Sequence, residues 1–139
     1  MIEDMPVEVF LERYPPAIRE TGLRLHKLIR IAVPGAVEGV RSGWSWIGYG
    51  LPDRRAKRTF AWIGPERKHI HLGFEYGAWM ADSGGLLEGA HLRLRKVRFL
   101  TFEAGQRLDV AALVDLTREG ARVAGLSRAE RLAAALDRP

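Results

Sequence analysis

Two histidines separated by a single residue carry the sharpest chemical signal in the chain. His69 and His71 fall in residues 68–74, a run typical of a β-strand, and Glu75 follows directly. Residues two apart in a strand project to the same face, so both imidazoles and the Glu75 carboxylate would line up within reach of one metal ion if the strand continues. This spacing predicts a site for iron or another divalent metal on His69, His71 and Glu75. The alternative is structural, with His69 a partly buried, hydrogen-bonded residue and His71 a surface residue.

Aromatic side chains are concentrated in the middle of the chain and indicate a second kind of site. Ligand clefts are commonly built from aromatic rings and a few polar groups, and the glycine-rich segment 77–89 can act as a lid. We expect a small-molecule cleft beside this segment, with candidate binding residues Trp44, Trp46, Trp62, His69, Tyr76, Trp79 and Glu88. The competing interpretation is that these rings form the hydrophobic face of a sheet, since each buries about 150–250 Å².

A third kind of site would use the positive charge of the chain. The sequence has 22 Lys and Arg against 17 Asp and Glu, a net charge of +5. A nucleic-acid or phosphate surface would use the cations of one loop, Arg54, Arg55, Lys57 and Arg58. Residues 93–98 add cations on alternating faces, which favours an exposed edge strand over one continuous patch. No helix-turn-helix or RNP signature accompanies them, so a solvated basic surface is the simpler explanation.

Helices are predicted at both ends of the chain from apolar residues at helical spacing. Asp109 is placed to cap the third helix, and Gly125 closes it in the manner of a C′ glycine. Ser127 and Glu130 have the spacing of a capping box that starts the last helix. The predicted helices span residues 7–13, 17–33, 110–124 and 128–137.

Strands are predicted in the central part, where β-branched and aromatic residues alternate with polar ones. They span residues 37–41, 44–49, 59–63, 68–74 and 94–102. A tight connection over 64–67 makes the third and fourth strands an antiparallel hairpin. We therefore predict an α+β fold, an antiparallel sheet in meander order with the terminal helices packed on one face. The 139 residues suit a single domain, with 126–139 as a C-terminal helical extension.

Several classes of function are disfavoured by what the sequence lacks. The chain has no cysteine, which excludes disulfides, thiol catalysis and Cys-ligated metal sites. Nucleophile elbows, phosphate loops and zinc-protease helices do not occur in it. The N-terminus has no basic and apolar leader, and no apolar run reaches the roughly 20 residues that span a bilayer. We expect a soluble cytoplasmic protein that binds a small molecule without catalysing a reaction, as a monomer or homodimer.

Several stretches in a fixed order resemble the bacterial DUF1801, or YdhG-like, family. They are Val33-Pro34-Gly35-Ala36, Trp46 with Gly50-Leu51-Pro52, Lys68-His69-Ile70, Gly77-Ala78, Leu87-Glu88-Gly89 and Leu94-Arg95-Lys96-Val97-Arg98-Phe99. The resemblance covers nearly the whole chain except the C-terminal helix. The chain departs from the family pattern at Lys96, where histidine is usual, at His71, where glycine is usual, and in the Arg-rich linker after Pro52.

The resemblance implies a frataxin-like fold and few functional details. Most members of the family have no assigned activity, and at least one is regarded as an iron chaperone. Frataxin-like iron binding relies on a ridge of carboxylates, because hard oxygen ligands hold iron weakly enough to hand it on. Glu3, Asp4, Glu8 and Glu12 would form a small acidic strip here, although acids at a helix start also complement the helix dipole. Iron or metal binding is therefore the alternative to small-molecule binding.

Overall fold

A computed structural model describes residues 4–52, 58–81 and 85–136. Its elements are α1 (Val7–Leu11), α2 (Pro16–Ala32), β1 (Val37–Arg41), β2 (Trp46–Gly50), β3 (Thr59–Pro65), β4 (His69–Phe74), β5 (Arg98–Glu103), α3 (Val110–Ala124) and α4 (Arg128–Leu136). The strands form one sheet in the order β1-β2-β3-β4-β5, and every neighbouring pair is antiparallel. The prediction of an α+β fold with a meander sheet is confirmed.

Helices α2 and α3 pack against each other and on the same face of the sheet, over β3 and β4. The sheet residues beneath them are fully buried: Ile47, Tyr49, Ile63, Leu72 and Phe74. At Gly120 of α3 an added Cβ would lie 2.6 Å from Cδ1 of Phe74, so the close approach of helix and sheet requires glycine there. Helix α1 packs on α2 and buries Phe10 and Leu11.

The residues that alternate with this buried set project to the opposite face of the sheet. We call it the open face, because α2 and α3 pack on the opposite side of the sheet. It carries Trp46, Trp62, His69, His71 and Phe99, all of them partly exposed. The meander therefore has one face that holds the hydrophobic core and one that presents aromatic and imidazole side chains to solvent.

The helix signals in the sequence are confirmed with one exception. Asp109 caps α3 by accepting a hydrogen bond from the backbone N–H of Ala112 at 3.3 Å. Ser127 and Glu130 form the expected reciprocal capping box, with N···O distances of 2.9 and 3.1 Å. Gly125 follows the last residue of α3, but its φ of −78° is right-handed, so it is not a left-handed C′ glycine.

Two strand predictions need correction. Strand β5 begins at Arg98 and not at residue 94, because residues 90–92 form a turn of 3₁₀-helix and Arg93 takes a left-handed φ of 58°. Trp44 lies in a 3₁₀ turn, and the left-handed Ser45, with a φ of 56°, separates it from β2. This turn leaves Trp44 61% exposed.

Among the described residues, no helix has the length and apolar character needed to cross a bilayer.

Candidate functional site

The β3–β4 hairpin brings one carboxylate and two imidazoles together on the open face. One Glu66 carboxylate oxygen, Oε2, lies 2.6 Å from His69 Nε2 and 2.7 Å from His71 Nε2. The potential ligand atoms of the three residues all lie within 4.8 Å of one another. We call Glu66, His69 and His71 the hairpin cluster. Its donor set, two nitrogens and a carboxylate, is one that divalent transition metals accept.

The turn geometry explains why Glu66 takes part. The pair Pro65 and Ile70 is the last one in the β3–β4 ladder, and the backbone N–H of Glu66 donates to the carbonyl of His69 at 2.9 Å. Glu66 and His69 are thus directly opposite each other across a two-residue loop, and opposite residues of an antiparallel pair share a face. His71 lies two residues further along β4, on that same face.

Glu75 does not belong to this cluster: of the predicted set His69, His71 and Glu75, the structure brings the two histidines together with Glu66 instead. If the strand geometry of β4 continued to Glu75, four residues at about 3.4 Å each would place Glu75 about 14 Å from His71. Two residues on the same face of a strand can therefore still be too far apart to bind one metal ion. The carboxylate that reaches the imidazoles is Glu66, which the hairpin folds back onto them.

Hydrogen bonds and ring contacts hold the hairpin cluster in place. His71 Nδ1 lies 3.0 Å from Thr101 Oγ1 on β5, and the rings of His71 and Phe99 form a T-shaped contact at a centroid distance of 5.5 Å. The His69 and His71 rings are 5.0 Å apart. The hydrogen bond from His71 lowers the pKa of the Glu66 carboxyl; its slight burial opposes this shift, and the bond from His69 adds to it. Glu66 therefore takes up a proton at a lower pH than an ordinary glutamate does.

A row of tryptophans crosses the open face from β2 to β3. The ring of Trp46 lies 5.8 Å from that of Trp44 and 6.4 Å from that of Trp62. Glycines beneath these rings make the arrangement sterically allowed: a Cβ at Gly48 would collide with the Trp46 indole, and one at Gly73 with the Trp62 indole.

Arg41 extends this row, since its guanidinium carbon lies 4.9 Å from the centroid of Trp44 and 5.2 Å from that of Trp46. These are the distances of cation–π contacts. The tryptophan row therefore carries a positive charge at its β1 end.

At one end of this row the open face forms a cleft of about 280 Å³. We call it the aromatic cleft; it is lined by Arg41, Trp44, Trp46, Arg58, Thr59, Glu75 and Tyr76. Partial burial raises the pKa of the Glu75 carboxyl, and Lys96 and Arg41 act in the opposite direction without cancelling it. Of the residues predicted for a cleft beside segment 77–89, Trp44, Trp46 and Tyr76 line the aromatic cleft, and Trp62, His69, Trp79 and Glu88 do not.

The candidate residues outside the cleft have other contacts. Trp79 and Tyr76 are 6.2 Å apart, and the Arg131 guanidinium of α4 lies 5.6 and 4.6 Å from their centroids, so this pair docks the last helix. Glu88 pairs with Phe99 as a short extension of the sheet beyond β5, and its carboxylate accepts a hydrogen bond from the Thr101 N–H. These contacts give Trp79 and Glu88 structural roles.

The predicted basic surface is only partly within the described residues. Arg54, Arg55 and Lys57 lie outside them. Arg58 is described, and its guanidinium donates to the carbonyl oxygens of Ala124 and Leu126 at 2.9 and 3.1 Å. Arg58 therefore ties the start of β3 to the end of α3.

A second and larger cleft, about 420 Å³, lies on the helical side of the molecule. It is lined by Arg24, Lys27, Leu28, Ile31, Arg107, Leu108 and Val110. Flexible cationic stems and aliphatic side chains surround it, and no aromatic ring does. The aromatic cleft has the more specific chemistry.

Comparisons of the chain with protein-family models, with curated proteins and with solved structures return no match. The resemblance to DUF1801 proteins, with its frataxin-like fold, stays a prediction. The residues that sequence reasoning missed are Glu66 and Arg41. For Glu66 the sequence did contain a signal. A tight connection over 64–67 predicts a hairpin, and pairing its two strands residue by residue places Glu66 opposite His69.

Proposed function

We propose that the domain is a non-enzymatic binding protein that holds a small planar aromatic molecule in the aromatic cleft. The observation that carries this proposal is the convergence of three aromatic rings, Trp44, Trp46 and Tyr76, around one concavity of the open face. Aromatic walls with a few polar groups are the usual composition of small-ligand sites. Flat ring faces favour flat ligands, since stacking maximises buried area and gains about 0.5–1.5 kcal/mol per ring pair beyond it.

The charges of the cleft favour an anionic ligand over a neutral one. The lining carries two guanidinium groups, Arg41 and Arg58, against the single carboxylate of Glu75. Arg58 is held by the carbonyls of Ala124 and Leu126, so Arg41 is the group that pairs with the ligand. A guanidinium pairs with a carboxylate through two parallel hydrogen bonds, and a hydrogen bond to a charged group contributes about 1.5–3 kcal/mol. We infer that the ligand class is an aromatic or heteroaromatic molecule with one acidic group. The cleft lining includes no imidazole and no thiol, which favours binding over catalysis.

The test uses a matched pair of probes, naphthoate and naphthamide, which differ in charge and hardly in shape. Tryptophan fluorescence and calorimetry measure their affinities for the full chain. We expect naphthoate to quench the fluorescence and to bind more tightly than naphthamide by about tenfold, which corresponds to about 1.4 kcal/mol. Trp44→Ala and Arg41→Gln should each weaken naphthoate binding, and Ile31→Ala, an exposed change on the helical side, should not. Equal affinity for the two probes, or binding unaffected by Trp44→Ala, would refute the proposal.

A nucleic-acid surface is the alternative that uses the same charge. Its described part, Arg58, has its guanidinium hydrogen bonded to two backbone carbonyls, so the described contacts support it less well than the cleft. Binding to a single-stranded oligonucleotide that weakens steeply with salt would favour this alternative.

A further inference from the structure

We propose that the hairpin cluster, Glu66, His69 and His71, is a binding site for a divalent first-row transition metal, with zinc the best match. The site is separate from the aromatic cleft, whose lining includes none of the three residues. It also differs from the acidic strip that an iron-chaperone function would use, because its donors come from a strand and a turn in the middle of the chain.

The distances within the cluster are close to those that a metal requires. Zinc binds histidine nitrogen at about 2.0–2.1 Å and carboxylate oxygen at about 2.0–2.2 Å, so the ligand atoms of a tetrahedral site lie about 3.4 Å apart. The Glu66 oxygen is now 2.6 and 2.7 Å from the two imidazole nitrogens, which are hydrogen-bond distances. An opening of less than about 1 Å converts these hydrogen bonds into metal bonds. The Glu66 side chain is 53% exposed, so it has room to move.

The protonation states are also accessible. A metal ion binds the unprotonated Nε2 of a neutral imidazole, which then carries its single proton on Nδ1; any second proton on the ring is released to solvent. His71 can keep its remaining proton on Nδ1, because Thr101 Oγ1 lies 3.0 Å away and can accept it. Metal-binding histidines almost always have such a partner on the second ring nitrogen, which turns the lone pair of the first toward the metal.

The donor set and exposure define which metal fits. Two imidazoles and a carboxylate form the three-residue ligand set of open zinc sites and of the His₂-carboxylate iron sites, in which water fills the remaining positions. Side-chain exposures of 53% for Glu66, 37% for His69 and 23% for His71 leave one side of the cluster open to such water. Hard ions such as Mg²⁺ and Ca²⁺ prefer oxygen ligands and should bind poorly.

A structural role for the same three residues makes a different prediction. If Glu66 only pairs with the imidazoles, its removal lowers stability slightly, and added metal changes nothing. If the cluster is a metal site, metal raises the melting temperature, because a ligand that binds only the folded state stabilises it. The two cases are therefore separated by a metal titration and not by a mutation alone.

The experiment uses the full chain without a histidine tag, treated with chelator and then titrated with Zn²⁺ by calorimetry and with Co²⁺ by visible absorption. We expect one equivalent of Zn²⁺, a Co²⁺ band in the visible region, and affinity that falls as the pH is lowered. His69→Gln and Glu66→Gln should each weaken Zn²⁺ binding by about 100-fold or more, and Thr101→Val by about 10-fold or more. Mg²⁺ should give no heat.

Two variants serve as matched controls. His91→Gln removes an exposed imidazole and Glu20→Gln an exposed carboxylate, both outside the cluster, and both should bind Zn²⁺ as the wild type does. Far-UV circular dichroism of each metal-free variant checks that it folds. The proposal would be overturned if the wild type did not bind one equivalent of Zn²⁺. It would also be overturned if both His69→Gln and Glu66→Gln bound Zn²⁺ as tightly as the wild type. The naphthoate result has a separate readout, so either proposal can fail alone.

Discussion

The two faces of the sheet are made by the same five strands and yet have opposite compositions. The face under α2 and α3 presents aliphatic side chains, Phe74 and Tyr49, all fully buried. The open face presents tryptophan, histidine and glycine, with the rings partly exposed. Neighbouring residues of one strand, such as Trp62 and Ile63, belong to different faces. The comparison indicates that the helical face supplies the stability and leaves the open face available for binding.

The open face also shows how a flat surface can be covered by large rings. Gly48 and Gly73 lie under the Trp46 and Trp62 indoles, and any side chain there would displace a ring. Glycine in a strand interior costs about 0.5–1 kcal/mol relative to alanine. At Gly48 a side chain would also disturb the aromatic cleft, because the Trp46 indole above it lines that cleft.

The largest expected effect separates two phenylalanines on adjacent strands. Phe74 is fully buried on the helical face, and Phe99 is partly exposed on the open face. Phe74→Ala should lower the free energy of unfolding by about 3–5 kcal/mol through a core cavity. Phe99→Ala should lower it by about 1–2 kcal/mol, in the ordinary range of single substitutions. Urea denaturation measures both. Equal losses would mean that the open face contributes to stability as the core does.

The next effect tests the glycine beneath Trp62. Gly73→Ala should lower the free energy of unfolding by about 1–3 kcal/mol, because the new methyl group displaces the indole. In a Trp62→Ala background the same change should become neutral or stabilising by up to about 1 kcal/mol, since alanine then replaces a strand glycine without a clash. A double-mutant cycle measures this coupling. A Gly73→Ala cost that persists in the Trp62→Ala background would show that the indole is not its cause.

The sequence was sufficient for the architecture because its signals are local. Capping at Asp109 and Ser127, the helix stop after residue 32, and the alternation along β3 and β4 each depend on neighbouring residues. The strand boundary at Arg98 was missed because the left-handed residue before it is Arg93, and only a glycine at that position would have indicated a left-handed backbone in the sequence. A left-handed backbone at a non-glycine residue is set by tertiary context, which a single sequence does not display.

The sequence predicted the two histidines of the hairpin cluster but not its carboxylate, because metal coordination depends on distances between side chains that come together only in the folded chain. The His69 and His71 pair was visible from strand periodicity, but the carboxylate was assigned to Glu75, which periodicity places on the right face and too far away. Glu66 becomes a partner only when the hairpin register is known. The aromatic cleft likewise needs Arg41 of β1 and Glu75, which follows β4, to line the same concavity, and no sequence spacing encodes that.

A smaller effect concerns His26 of α2, the one buried imidazole in the described part of the chain. His26 Nδ1 lies 2.9 Å from the Tyr49 hydroxyl and 3.3 Å from the Glu38 carboxylate. Burial lowers the pKa of His26 below its ordinary value; Glu38 and Glu8 oppose this shift, and Arg30 and Lys27 add to it. The unfolded chain therefore binds the proton more tightly.

The sign of the pH dependence follows from that difference. The contribution of His26 to the free energy of unfolding is fully present above about pH 6.5, the ordinary pKa of histidine. It is lost as the pH falls through the lowered pKa of His26 in the folded chain. His26→Asn keeps a polar group for Tyr49 and removes the titration, so its stability should fall less between pH 7 and pH 5. Denaturation at several pH values gives the two slopes, with His91→Asn as the control for removing an imidazole. Parallel slopes for wild type and His26→Asn would exclude His26 as the source.

The smallest expected effect connects stability to binding at the aromatic cleft. Partial burial raises the pKa of Glu75, so the folded chain holds this proton more tightly than the unfolded chain. Stability should fall as the pH rises from about 4.3, the ordinary pKa of glutamate, through the raised value. Glu75→Gln removes that penalty, so it should be slightly more stable than the wild type at pH 7, an advantage that disappears at pH 4. Denaturation at the two pH values measures this, with exposed Glu103→Gln as the control.

The same substitution should tighten naphthoate binding, because the cleft keeps Arg41 and Arg58 and loses the carboxylate that opposes them. A gain in both stability and affinity would mean that Glu75 is retained for selectivity among anions and not for the fold. A loss of stability at pH 7 would instead mean that Glu75 supports the fold by pairing with Arg41 and Lys96. In that case the open face has a structural network of its own, and the division between a stabilising face and a binding face would need revision.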